Sequence, residues 1–479
     1  MSFESLTAIA PILCVTAAGV ASMLAEALRS KGERLPIAGL GVIGLAGSGV
    51  TAMLLWNRGA ESFDVVKADN FSLFVTLVLT VIGLLTLMYS PRIVERDDLP
   101  EGEYYALTLF ALAGMMLMAM ATDLVILFLA LEVFSLAVYV LTGIRRDSAA
   151  GTEGAFKYFL LGSFSSAFFV YGIAFTYGLT GTTRLDRISM FLAADGGAPS
   201  PLVMVALGLL IVSFAFKVSA VPFHMWTPDA YEGAPAIVAG FMSTAVKAAA
   251  FAAFLRVVVS GFGPLVADWA VVLWWVSAAT MIVGTVVAVV QTNLKRMLAY
   301  SSIAHAGYLL IGLVAANGTG GAALLFYLLV YAVANLGAFA VIALLATRQR
   351  ANDEIAEYTG LWHRQPAMAT VLTVFLLSLG GMPPLAGFVG KWYVFSAAVR
   401  SGYYGLAIIG VLTSVVAVFF YLRIVVAMFM SEAEGGIERT AQPRVAVAAL
   451  ALSVAVTFYL GILPARVLDL AAASIATLF

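Results

Sequence analysis

Seven ionisable side chains stand inside apolar runs long enough to cross a bilayer, and chemistry must be sought there. Lys157, Lys217, Lys247, Arg256, Lys391 and Arg423 are the cations, and Glu132 is the one acid near the centre of its run. A charge at the bilayer midplane costs about 2.5–3.5 kcal/mol on insertion scales, so each must be paired, solvated or used. Burial disfavours the charged form of either group and a nearby opposite charge restores it. A buried Glu–Lys pair can therefore hold or exchange a proton near neutral pH.

Lys217 ends an apolar run and leads into VPFHMWTPDAYEGAP, residues 221–235, where Pro222, Pro228 and Pro235 are expected to end regular helix. Irregular backbone at membrane depth persists only where protein buries it or water lines it, so a cation beside such a break marks a candidate site. Glu132 shares its helix side with Ser135 and Tyr139, three and seven positions on, and reads as a relay carboxylate or a structural ion pair. Lys247 has Ser243 and Thr244 one turn earlier and small alanines beside it, which admit a close neighbouring helix. Lys157 and Arg256 lie nearer helix ends, where each can equally be an anchor that snorkels to the interface. Arg423 is deeper, but arginine holds its proton and suits tuning a neighbour better than carrying charge. His305, in LKRMLAYSSIAHAGY (294–308) with Lys295, has an intrinsic pKa near neutrality, as any histidine does, and reads as a proton shuttle or a hydrogen-bonded structural histidine. A haem between His224 and His305 is the weaker alternative, since His224 lies in the break rather than on a helix face.

Composition sets the elements that must hold these groups. Hydrophobic residues make up 62% of the 479 and charged ones 11%, with a mean hydropathy of +1.01; a soluble domain carries about 25% charge. The chain reads as an all-α polytopic membrane protein. Its net charge of -1 argues against a nucleic-acid partner. A single cysteine, Cys14, excludes an intrachain disulfide and a cysteine-held metal cluster from this chain alone. The first apolar run, from Leu6 to Leu28, lacks a basic lead and is expected to be a retained helix.

Windows of about 20 apolar residues predict about 14 spans, near 5–28, 36–56, 70–90, 104–121, 123–144, 154–178, 201–221, 235–260, 268–290, 297–316, 321–347, 367–399, 403–430 and 443–463. Of the 26 Lys and Arg, fourteen fall in loops after odd-numbered spans, six after even-numbered ones or in the tail, and six within spans. Both termini are thus expected on the non-cytoplasmic side. A second break, GMPPLAGF (381–388), interrupts span twelve with Lys391 beside it. Each break is fourth in a set of five spans, and two five-helix units in series must be inverted relative to each other. The organisation read from this is a three-helix segment, 1–103, an antiporter-like unit, 104–260, its inverted counterpart, 261–430, and a last helix and tail, 431–479.

The three quoted segments resemble the signatures of the antiporter-like membrane subunits of respiratory complex I, NADH-quinone oxidoreductase, over spans four to thirteen. The first has the form of the subunit N branch; the sister subunits M and L usually carry a histidine-containing sequence after the Pro-Asp. The resemblance implies a proton-translocating subunit of the membrane arm, in the cell inner membrane, with no redox centre of its own. NADH, FMN, iron–sulfur clusters and quinone would belong to partner subunits, and neighbouring antiporter-like and small membrane subunits and the lipid bilayer would be its contacts. It further implies a polar axis of Glu132, Lys217, Lys247 and Lys391, to which His305 is added here, with His224, Lys157, Lys295 and Arg423 as secondary candidates. A stand-alone sodium/proton antiporter is the alternative function, disfavoured because a sodium site needs several oxygen ligands and Glu132 is the only central carboxylate. In a purely structural subunit these charges would be fixed pairs.

Overall fold

The computed structural model describes residues 3–30, 36–194, 200–315, 318–348, 350–431, 437 and 441–478. Lys31, Arg34 and Arg439, which contribute to the loop-charge asymmetry, lie outside the described residues. Among the described residues, twelve helices are long and apolar enough to cross a membrane. Two shorter apolar helices, Pro201–Lys217 and Pro366–Gly380, are the first halves of the two interrupted spans, so the total agrees with the hydropathy reading.

The N-terminal part comprises α1 (Phe3–Ala8), α2 (Ala10–Leu28), α3 (Ile37–Leu55), a hairpin of β1 (Ala60–Ser62) and β2 (Val66–Ala68), and α4 (Asn70–Arg96). Then follow α5 (Glu101–Met120), α6 (Leu124–Thr142), α7 (Ala149–Thr180), the short amphipathic α8 (Leu185–Ala194), α9 (Pro201–Lys217), α10 (Trp226–Gly233), α11 (Ala236–Phe241) and α12 (Lys247–Arg256). The second half is built of α13 (Val266–Val289), α14 (Leu294–Val314), α15 (Gly318–Leu345), α16 (Leu361–Arg364), α17 (Pro366–Gly380), α18 (Ala386–Arg400), α19 (Tyr404–Met430), α20 (Arg444–Ile462) and α21 (Ala465–Ile475). Hydropathy windows do not detect the hairpin, α8, α16 or α21, which are too short or too polar on one face to register as spans.

Helices apolar all round belong in a core. The segment from α11 through α12, with α14 and α15, is buried on nearly every side, whereas α7, α13 and α19 turn side chains such as Phe164, Trp275 and Val415 outward. The interrupted helices pack between these layers. The first departs from expectation in one respect. Helix is lost from Val218 to Met225 and resumes at α10, so Pro228 sits in the first turn of a helix, where no N–H is needed, and Pro235 precedes α11. Of the three, Pro222 and Pro235 lie in non-helical backbone and Pro228 does not.

Freed backbone groups in both breaks find partners, as burial requires. The Trp226 indole donates to Phe216 O (3.1 Å), and Val221 N donates to Thr280 Oγ1 (2.9 Å). In the second break Gly381 takes a left-handed φ of 84° to end α17, and Gly387 N donates to Ser378 Oγ (3.1 Å). A Cβ on Gly387 would stand 1.7 Å from Ser378 O, so only glycine permits that approach. Each break also holds a cis peptide, Val221–Pro222 and Pro383–Pro384. Span eight, read as one continuous helix, is instead α11, a π turn (Met242–Val246), α12 and a second π turn (Val257–Gly261).

Candidate functional site

The buried cations divide by partner chemistry. Lys217 is fully buried and donates to Ser135 Oγ at 2.8 Å and to Tyr139 OH at 3.4 Å, both on α6. Phe134, Tyr139 and Phe216 surround the ammonium at 5.6–5.7 Å from their ring centres. Glu132, one turn before Ser135, accepts a hydrogen bond from Ser166 of α7 and stands part-exposed on the outer side of α6. Ser135 and Tyr139 do lie toward the lysine, but the acid reaches Lys217 through space rather than by direct contact.

Lys247 opens α12 immediately after the π turn. Its ammonium donates to the carbonyl and to the hydroxyl of Ser302 on α14, the latter at 2.5 Å. Ser243 and Thr244, the polar company expected one turn earlier, bond Gly240 O instead. The π turn aims the lysine at α14. His305, one turn beyond Ser302, has Nδ1 bonded to Tyr327 OH (2.7 Å) and Nε2 to Tyr421 OH (3.2 Å). With both ring nitrogens engaged, His305 offers none for a haem shared with His224. Lys391 donates to Gly380 O at the second break (3.1 Å) and to Ser414 Oγ (2.8 Å), and lies over the Tyr308 ring (5.0 Å).

The remaining cations are partnered by carboxylates or by helix ends. Lys157 bonds Asp229 and Glu153, each at 2.7 Å, and is half-exposed. Lys295 bonds Asp353 (2.9 Å) and Ala234 O (3.2 Å), and lines a cavity of about 280 Å³. Arg423 donates to Val289 O (3.0 Å) and Gln291 O (2.6 Å), closing the C-terminal end of α13. Arg256 does not snorkel: it is 3% exposed and makes a two-toothed pair with Asp69, both bonds 2.8 Å. His224 lies half-buried between α9 and α10, its Nδ1 without a partner among the described residues.

Residue-by-residue reading missed Tyr327, Tyr331 and Tyr421, the hydroxyls around His305 and Ser302. Their signal was present on α15, where Tyr327, Tyr331 and Asn335 recur every four residues in an otherwise apolar helix.

Two interrupted helices with a lysine at each break, and buried ammonium and imidazole groups whose hydrogen-bond partners are hydroxyls and backbone carbonyls, define an antiporter-like membrane subunit. The family model for the membrane region of NADH:quinone oxidoreductases and Mrp antiporters matches residues 121–417. The chain is 43% identical to NADH-quinone oxidoreductase subunit N of Trichlorobacter lovleyi, over 98% of this chain and 96% of that one. A subunit N of Rhizobium meliloti is 40% identical over 98% of the chain and 97% of that protein. Among solved structures, a chain of respiratory complex I from Thermus thermophilus superposes with a TM-score of 0.81 at 36% identity, covering 96% of this chain and 99% of that chain. A chain of an archaeal membrane-bound sulfane sulfur reductase shares the fold, with a TM-score of 0.86 at 24% identity over 98% and 97%. The chain belongs to the subunit N family of NADH-quinone oxidoreductases, antiporter-like subunits that translocate protons in the membrane arm.

Proposed function

We propose that Lys217, Lys247, His305 and Lys391, with Glu132 at one end, are the proton relay of this subunit. One observation carries the reading: among the described residues, these three lysines have hydroxyls and backbone carbonyls as hydrogen-bond partners, not carboxylates. A serine or tyrosine hydroxyl both donates and accepts, so the lysine can lose its proton without leaving a buried carboxylate unpaired. Lys157, Lys295 and Arg256 are tied to Asp229, Asp353 and Asp69 and act as structural pairs. Units 104–260 and 261–430 serve as the inverted repeats that carry one lysine-bearing break each.

In the assembled enzyme, neighbouring antiporter-like and small membrane subunits would flank this chain. Quinone reduction in a partner subunit would change charge at one end of the line and shift the next lysine's proton affinity. NADH, FMN, iron–sulfur clusters and quinone belong on this reading to partner subunits, consistent with the single Cys14. Moving one charge against 100 mV requires about 2.3 kcal/mol, which redox chemistry elsewhere must supply.

Lys247→Met and Lys391→Met are each expected to leave the complex at normal abundance on a native gel while quinone-coupled proton pumping falls clearly. Normal pumping in either variant removes that lysine from the relay. The location is the cell inner membrane with both termini non-cytoplasmic, supported by the loop-charge asymmetry. In a Cys14→Ser background, a membrane-impermeant maleimide added to intact cells is expected to label Glu61→Cys in the hairpin and to spare Asp147→Cys. The reverse pattern inverts the topology.

A further inference from the structure

Helix α15 turns one polar face toward the relay. Tyr327, Tyr331 and Asn335 are spaced by four, share that face and are buried. Each grips a different part of the surroundings of Lys247. Tyr327 OH bonds His305 Nδ1 (2.7 Å), Tyr331 OH donates to Ser302 Oγ (2.8 Å), and Asn335 Nδ2 donates to Ser243 Oγ (2.7 Å) in the π turn preceding the lysine. The Tyr331 ring also lies 5.0 Å from the His305 ring.

Ser302 is where these contacts meet. A hydroxyl oxygen has two lone pairs and one proton. Both lone pairs of Ser302 Oγ are engaged, one by the Lys247 ammonium and one by Tyr331. Tyr331 thus competes for the oxygen that solvates the ammonium and turns the positive end of its O–H toward that charge. Once Lys247 is neutral, its nitrogen has a lone pair, and Ser302 O–H can turn to donate to it while Tyr331 continues to donate to Ser302. The contact is compatible with both states and favours the neutral one.

We propose that Tyr331 is a positioning residue of the relay, holding Ser302 so that Lys247 gives up its proton more readily. This rests on the reading of Lys247 as a proton carrier. The other ionisable groups on elements packed against α12 are Lys295, Arg296, Tyr300, His305 and Tyr308 on α14, Tyr327 on α15, Lys217 on α9, Tyr89 on α4, Tyr104 and Tyr105 on α5, and Asp69, paired with Arg256 of α12 itself. Lys391 on α18 lies over the Tyr308 ring, whose centre is 5.6 Å from that of His305. The other charges of α4 and α5 stand in the end turns, at Arg92, Glu95, Arg96, Glu101 and Glu103.

The test follows NADH-driven quinone reduction and proton pumping together, across the neutral and alkaline range, in membrane vesicles carrying the assembled complex. Tyr331→Phe removes one oxygen and no volume. Its pumping profile is expected to move to the alkaline side by roughly half to one pH unit, the size of one net hydrogen bond, with assembly unchanged. Tyr89→Phe removes a buried hydroxyl bonded to Ser453, away from the relay, and is expected to leave the profile in place. An assembled Tyr331→Phe complex with an unshifted profile overturns the proposal if Lys247→Met lowers pumping. If Lys247→Met pumps normally, the relay reading itself fails. Should Tyr331→Phe not assemble, Ser302→Ala reads the same contact from the other side. By removing the acceptor of the ammonium it is expected to displace the profile to the acid side, and an unshifted profile again overturns the proposal.

Discussion

Replacing Lys217 by Ala is expected to lower quinone-coupled proton pumping about a hundredfold, the scale of losing a positioned proton-transfer group, while the complex still assembles. Lys217 is fully buried, and its hydrogen-bond partners are Ser135 and Tyr139. Removing the ammonium leaves two neutral hydroxyls, and Ser135 already donates to Leu131 O (2.5 Å), so no directly bonded charge is left buried; Glu132 keeps its bond from Ser166 and its part-exposed position. Lys217→Met keeps the side-chain volume and separates loss of charge from the cavity that alanine leaves. In a coupled relay quinone reduction falls together with pumping. Assembled vesicles with both rates normal would make Lys217 a structural charge and remove it from the proposed line.

The largest stability effect is expected at Arg256. Its guanidinium lies 5.0 Å over Phe71, donates to Ala119 O (3.1 Å) and grips Asp69, which itself caps α4 through Ser72 N (2.9 Å). One buried pair thereby ties the start of α4 and the end of α5 to the end of α12. Arg256→Ala strands the Asp69 carboxylate away from water, at a cost of about 3–5 kcal/mol, whereas replacing both partners by apolar groups of similar shape recovers much of that loss. Thermal unfolding of the purified complex is expected to show a marked loss for Arg256→Ala and partial recovery for Asp69→Leu with Arg256→Met. A single variant as stable as the parent would show that the pair does not hold these helices.

Much of this protein was fixed by its sequence before any packing was considered. Apolar runs of bilayer length determined an all-helical membrane protein, because backbone polar groups in lipid must be satisfied within the segment. The prolines at 222 and at 383–384, each beside a lysine, determined where the two interrupted helices lie, since proline removes a donor and clashes one turn back. The isolated charges at Glu132, Lys217, Lys247 and Lys391 marked candidate residues, because a charge within a membrane span is costly unless it is paired or solvated. Tertiary structure alone decided which of these charges meet carboxylates and which meet hydroxyls. Nothing local distinguishes Arg256, locked to an aspartate 187 residues away, from Lys247, which meets a serine 55 residues on. The π turn before Lys247 and the hydroxyls of Tyr331 and Tyr421 that reach Ser302 and His305 belong to helix packing. A side chain's partner depends on which helices meet and at what height, and hydropathy records neither.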